Sequence, residues 1–320
     1  MKNKKIMVIA PSKSLSIISN DVQKNALNIL KKMNYDVCFA KNCNKKIKYY
    51  DCPSLKERLS DFEEALDSDC FLILSVIGGY NCNQMLPYLN YEKIKKAGKK
   101  ICGFSDITAI LNAIYAKTGL ITYYGPHFST FGMLYELEYT IKYFQKMVKK
   151  EPFYVESSKY YRDDLWYINQ NDVNNIKNKG LFVINKGNGS GTIIGGNLST
   201  FNLLLGTDYL PKDKNIILFI EDDNDSGDNF LLTFDRNLES IIQSPLFKKI
   251  RGIVVGRAQK KSCMTIEKWK MLFKSKSKLK QIPIIVNANF GHTTPIFTFP
   301  IGGYCTIEND KIKISEKFSD

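Results

Sequence analysis

A chain of 320 residues, 44% hydrophobic and 24% charged, can bury a sizeable core, and its length favours two domains over one. No stretch approaches the roughly 18 apolar residues of a membrane helix, so a soluble protein with no membrane partner is expected, and eight cysteines without a CxxC pair read as reduced thiols of a cytoplasmic protein. The 46 Lys and Arg exceed the 32 Asp and Glu by 14 charges, but the lysines are scattered as pairs rather than gathered on one basic helix, so a solvated surface is expected and a nucleic-acid partner is not.

The N-terminal stretch MKNKKIMVIAP has an apolar run of only about six residues, shorter than the core of a signal peptide, and reads as a first strand over residues 5–10. Val22, Ala26, Ile29, Leu30 and Met33 then mark one face of a helix. The step repeats with a strand at 35–40 and a helix carrying Leu55, Leu59, Phe62 and Leu66, opened by a capping box at Ser54 and Glu57. Residues 70–77 are apolar almost without break, the pattern of a strand covered on both faces in a parallel sheet. Short strands at 100–104 and 120–124 follow. The expectation is a doubly wound α/β sheet in residues 1–152, with a ligand site beyond its C-terminal strand ends.

From about residue 153 to 179 the pattern dissolves into polar and aromatic sequence, read as a connecting segment. Beyond it, runs at 181–184, 192–194, 216–220, 253–255 and 284–286 and a hairpin across Glu308, Asn309 and Asp310 predict a strand-rich unit with a few helices over residues 180–320.

Eight cysteines show no CxxC pair, which fits neither a zinc site nor a disulfide framework, and no metal or other cofactor is expected. The only histidines, His127 and His292, both sit near strand ends and are the candidates for a base near neutral pH, although either could equally be a structural hydrogen-bonding group. Ser105, in ICGFSDITAILNAIYAK, lies between a short strand and a helix with apolar residues Ile107, Ile110, Leu111 and Ile114. Strand, tight turn, serine and helix is the arrangement of a nucleophile elbow; it is also that of an ordinary N-cap, and GFSD lacks the second glycine of G-x-S-x-G. Gly78 and Gly79, at another strand exit, either bring backbone N–H groups close to a ligand or simply turn the chain. Glu221 ends an apolar strand, with Asp222 and Asp223 as rivals and a solvated acidic loop as the bland reading.

Taken together and in order, VIAPS, IGGYNCNQMLPYLNY, GFSDITAILNAIYAKTGLITYYGP, IGGNLSTFNLLLGTDYLP, ILFIED and GHTTPIFTFPIG resemble the LD-carboxypeptidase family of serine peptidases, and the likeness spans nearly the whole chain. By that resemblance Ser105 is the nucleophile, Glu221 the charge-relay acid and His292 the base, with the N–H groups of Gly79 and Asp106 forming the oxyanion hole. The family pairs a flavodoxin-like or amidotransferase-like parallel-sheet domain with a smaller β-rich C-terminal domain, its members are homodimers, and they use no metal. Within it, GGYNCNQMLPYLNY and IYAKTGLITYYGP are closer to the microcin C immunity branch, which cleaves an amide joining an aspartyl residue to an adenylate-like group. The other branch releases D-alanine from muropeptides in peptidoglycan recycling. The resemblance thus implies a small peptide or aminoacyl-nucleotide substrate, with Trp166 as a candidate stacker on the adenine or a packing residue. A glutamine amidotransferase would rely on a cysteine nucleophile, for which Cys102 and Cys82 are poorly placed. A non-enzymatic anion or nucleic-acid binder is favoured by the charge alone.

Overall fold

The computed structural model describes residues 4–224 and 226–316; the first three residues of the basic N-terminal stretch lie outside them. The chain opens with the alternation its periodicity predicts. Strand β1 (Lys4–Ile9) leads to helix α1 (Asn20–Lys32), whose first turn is capped by Ser19 and which buries Val22, Ala26 and Leu30. Strand β2 (Tyr35–Phe39) is followed by α2 (Leu55–Asp67), where the Ser54 hydroxyl accepts from Glu57 N–H and the Glu57 carboxylate accepts from Ser54 N–H. Then come β3 (Leu72–Ser75), α3 (Tyr91–Ala97), β4 (Lys100–Gly103), α4 (Thr108–Thr118), β5 (Thr122–Tyr124) and α5 (Glu138–Lys149).

Two-residue strands β6 (Phe153–Tyr154), β7 (Tyr160–Tyr161) and β8 (Ile176–Lys177) lie in the segment read as a connector. The remainder is β9 (Phe182–Asn185), β10 (Asn188–Asn197), α6 (Leu198–Asn202), β11 (Ile216–Glu221), α7 (Phe230–Gln243), β12 (Ile250–Gly256), α8 (Ile266–Lys274), β13 (Ile284–Ala288), β14 (Phe299–Ile301), β15 (Tyr304–Glu308) and β16 (Lys311–Ser315).

Among the described residues the first sheet has the order β14-β5-β4-β3-β1-β2. Its five N-terminal strands run parallel, as expected. The sixth corrects the purely parallel reading: β14 arrives from near the C-terminus and pairs antiparallel with β5, making the sheet mixed. The second sheet, β6-β16-β15-β10-β11-β12-β13-β9, is also mixed. Its β10, β11, β12 and β13 are parallel neighbours, with α7 and α8 in the connections, so this β-rich half has a parallel centre of its own flanked by antiparallel strands. The β15–β16 hairpin turns at Asn309 in the left-handed region. β6, from the segment read as a connector, pairs with β16 at the edge of the second sheet, while β14 of the second half completes the first.

Helix α4 lies between the sheets, touching β5, β14, β10 and α6. Every residue from Thr108 to Ile114 is buried, including the side opposite the expected apolar stripe, because partners cover it all round. The turn that enters this helix, carrying Ser105, therefore sits where the two halves meet.

Candidate active site

Ser105 follows β4 by two residues and takes φ of +59°, a left-handed conformation that costs a non-glycine residue about 1 kcal/mol or more. It does not act as a helix cap; the cap position of the short turn at Ser105–Ile107 is Phe104. Its Oγ instead lies 3.0 Å from His292 Nε2, and its N–H donates to Tyr124 Oη at 3.3 Å. Gly78 closes in from the side, and a Cβ there would sit 2.9 Å from Ser105 Oγ, so a side chain would displace the serine.

His292 stands in the loop after β13. Its Nδ1 is 2.7 Å from Glu221 Oε2, and its ring meets Phe104 edge-on at 5.4 Å. Gly291 makes this approach possible at φ of +104°, since a Cβ would come within 2.5 Å of the same carboxylate oxygen. Burial works to lower the imidazole pKa, but the Glu221 charge and hydrogen bond, with Asp223 and Asp222 behind, outweigh it and hold the group above its ordinary range.

Glu221 is the last residue of β11 and only 2% exposed. Both oxygens are engaged: Oε2 by His292 and Oε1 by the Tyr124 hydroxyl, which donates at 2.5 Å. The rival Asp222 faces elsewhere, accepting from Asn197 Nδ2 at 2.9 Å and Ser199 Oγ at 2.6 Å. Burial, helped by the charges of Glu221 and Asp223, pushes its carboxyl up to about 7.

The second histidine does not join this chain of contacts. His127 is buried, stacks on Phe104 at 4.0 Å, and sets Nε2 at 3.1 Å from Phe104 N and 3.0 Å from Phe104 O. Burial drives its pKa down to about 3, so it is a neutral support beneath the elbow. The Asp106 carboxylate points away from Ser105 and accepts from Ser12 Oγ (2.7 Å), Asn81 N (2.8 Å) and Cys82 N (2.9 Å). It thereby pins the loop bearing Gly79 to the elbow, a link sequence reading missed. Cys82 and Cys102 are buried thiols with strongly raised pKa, which makes them inert as nucleophiles.

A cavity of about 330 Å³ opens over Ser105 and His292, walled by Gly79, His127 and Trp166 among others. It adjoins a hollow of about 590 Å³ whose lining includes Trp166, Tyr167, Gln259, Lys260 and Lys261. The segment read as a connector is thus a wall of the site, and the structure shows what holds it. Arg162 exchanges backbone hydrogen bonds with Thr294, two residues beyond His292, at 2.7 and 3.0 Å. The Arg162 guanidinium forms a buried two-point ion pair with Asp164, and Asp163 accepts from Gln259 and Lys260 N–H. Among the described residues no group of three His, Cys, Asp or Glu side chains is arranged to hold a metal ion, and no helix is long and apolar enough to cross a membrane.

Comparison with known proteins agrees with this architecture. The LD-carboxypeptidase N-terminal domain matches residues 6–125 and the LD-carboxypeptidase C-terminal domain matches residues 190–307. The putative carboxypeptidase YocD of Bacillus subtilis (strain 168) is 45% identical over 309 residues, which span 96% of this chain and 94% of that protein. The crystal structure of an MccF-like protein from Bacillus anthracis str. Ames is 46% identical, with a TM-score of 0.97 over 99% of this chain and 98% of that one. Microcin C7 self-immunity protein MccF, solved in complex with aspartyl sulfamoyl adenosine, is 28% identical with a TM-score of 0.88, covering 100% of this chain and 98% of that one. These likenesses define a hydrolase of the carboxypeptidase class. The chain belongs to the LD-carboxypeptidase family, close to its microcin C self-immunity branch.

Proposed function

We propose that Ser105 is the nucleophile of a serine hydrolase, with His292 as general base and Glu221 holding the imidazole, and that the bond cleaved is the amide between an aminoacyl residue and an adenylate-like group. The observation that carries the reading is the continuous relay from Ser105 Oγ through His292 to Glu221, at 3.0 and 2.7 Å, on the floor of a cavity walled by Trp166. In this mechanism Ser105 Oγ attacks the carbonyl carbon as His292 Nε2 takes its proton. The tetrahedral oxyanion is held by the N–H groups of Gly79 and Asp106, and the Ser105 N–H, engaged with Tyr124, is not required there. Collapse breaks the C–N bond while the imidazolium returns the proton to the leaving nitrogen. Water, activated by the same histidine, then releases the acyl group.

Trp166, at the junction of the two hollows, offers an aromatic face to the adenine of the leaving group. Aspartyl sulfamoyl adenosine bound to the related MccF supports this choice of substrate. A second reading, release of D-alanine from an L,D-linked muropeptide, is favoured by the carboxypeptidase name of the 45% identical relative. Within the proposal the chain acts as a cytoplasmic homodimer without a nucleic-acid partner. Residues 1–152 bring the nucleophile, 180–320 the acid and base, and 153–179 the connection, in a fold of the flavodoxin-like or amidotransferase-like kind.

The test is to incubate the protein with aspartyl sulfamoyl adenosine and, separately, with an L,D-tetrapeptide muropeptide, and to weigh the products. Free aspartate is expected, and Ser105→Ala should abolish it. Free D-alanine alone would move the assignment to the second reading, and full turnover by Ser105→Ala would overturn both.

A further inference from the structure

We infer that Tyr124 is a positioning residue of the relay: its hydroxyl ties the Glu221 carboxylate to the backbone of Ser105, setting acid and nucleophile in register across the two halves of the molecule. The inference rests on the roles proposed above for Ser105, His292 and Glu221.

Tyr124 ends β5, directly beside Gly103 of β4, so its ring lies along the strand exit that leads to Ser105. The ring is fully buried. Phe299, its partner across the antiparallel β5–β14 pair, stacks on it at 4.9 Å, while Phe290 and Phe104 meet it edge-on at 6.3 and 6.2 Å. These contacts fix the direction of the C–O bond without using the hydroxyl. That hydroxyl makes two bonds of opposite sense, donating to Glu221 Oε1 at 2.5 Å and accepting from Ser105 N–H at 3.3 Å. Burial and the adjoining carboxylate push the phenol well above its ordinary pKa, so it remains a donor at any working pH.

A carboxylate held at one oxygen can rotate about its last torsion, whereas one held at both presents a fixed plane to the imidazole. Tyr124 and His292 grip Oε1 and Oε2 separately. Without the phenol, Oε1 would be a buried anionic oxygen lacking its donor, and the strained Ser105 turn would lose the acceptor for its N–H. The neighbouring Tyr123 cannot substitute. Strand alternation sends it to the opposite face, where its hydroxyl meets Glu316 and Lys100.

Tyr124→Phe removes one oxygen and keeps the ring in its aromatic box. Labelling of Ser105 by a fluorophosphonate probe reports the activated serine without presupposing a substrate. Tyr124→Phe should stay folded, with a thermal midpoint lower by only several degrees for the two lost hydrogen bonds, yet label about 10–100-fold more slowly, because small misplacement of a reacting group is costly. With aspartyl sulfamoyl adenosine, kcat should fall by a similar factor while KM stays within about twofold. The midpoint of labelling rate against pH should move up, since a carboxylate relieved of the phenol proton holds the imidazolium more strongly. In a Glu221→Gln background, adding Tyr124→Phe should lower the rate no further than about threefold, as expected of two groups acting as one unit. Labelling of Tyr124→Phe within about threefold of wild type, a midpoint that stays put or moves down, or an undiminished loss in the Glu221→Gln background would overturn the inference. Ser105→Ala distinguishes this from failure of the reading beneath it: if that variant labels like wild type, the nucleophile is wrong and the role of Tyr124 falls with it.

Discussion

Replacing Glu221 by glutamine keeps the shape of the side chain but gives it a single oxygen for two partners that both donate. The Tyr124 hydroxyl accepts from Ser105 N–H and donates to Oε1, while His292 Nδ1 faces Oε2. If the glutamine oxygen satisfies Tyr124, its NH2 group confronts Nδ1 and forces the ring proton onto Nε2, the nitrogen that should accept from Ser105 Oγ at 3.0 Å. If the amide flips, the tautomer survives, but the Tyr124 contact and the negative charge behind the imidazolium are lost. The expected fall in kcat is about 10³–10⁴-fold, or about 4–5.5 kcal/mol of barrier. The assay is release of aspartate from aspartyl sulfamoyl adenosine, with fluorophosphonate labelling as a substrate-independent measure, both followed against pH. In the wild type, burial lowers the His292 pKa but the Glu221 charge and hydrogen bond more than reverse this. A base must be unprotonated to act, so the wild-type rate should climb with pH through a midpoint above the usual imidazole value of about 6.5. Glu221→Gln removes the main raising partner, and its midpoint should fall. Activity within about tenfold of wild type, or a midpoint that does not move, would refute the assignment of Glu221.

Two stability predictions follow from the same groups. Because Ser105 sits at φ of +59°, Ser105→Gly should be more stable than Ser105→Ala by about 1 kcal/mol, the reverse of the usual order, as measured by urea midpoints; equal midpoints would deny the strain. Asp222, with its carboxyl raised from 3.8 to about 7, binds a proton more tightly folded than unfolded. Its stabilising contribution is therefore full below about pH 4 and is lost as pH rises through about 7, a decline of about 4 kcal/mol. Asp222→Asn keeps partners for Asn197 and Ser199 and should flatten this decline between pH 5 and 8; an unchanged slope in urea melts would argue against it.

The parts of the fold that sequence determined are those set by neighbours along the chain. The spacing of Val22, Ala26 and Leu30, the Ser54 and Glu57 capping box, the unbroken run before Glu221 and the turn at Asn309 each carry their own local signal, and each appears as read. Strand β14 has almost no such signal. It is three residues long with Pro300 at its centre, which only an edge position tolerates, and its partner β5 lies far back in the chain. The polar and aromatic composition of residues 153–179 says loop; that the loop walls the cavity depends on Arg162 meeting Thr294.

The site divides in the same way. Sequence offered Ser105, His292 and Glu221 as possibilities, and only their order among recurring family motifs selected them. A serine before a helix is an N-cap or an elbow depending on its φ, and what its hydroxyl meets stands 187 residues away. Glu221 and Asp222 are adjacent acids with the same composition around them, as Tyr123 and Tyr124 are adjacent phenols. Strand direction turns one of each pair toward His292 and Ser105 and its neighbour toward other partners. Local sequence carries propensity, which is a property of a few neighbouring residues. Which side chains share hydrogen bonds is fixed by how the two sheets pack around α4, and that is decided only when distant segments come together.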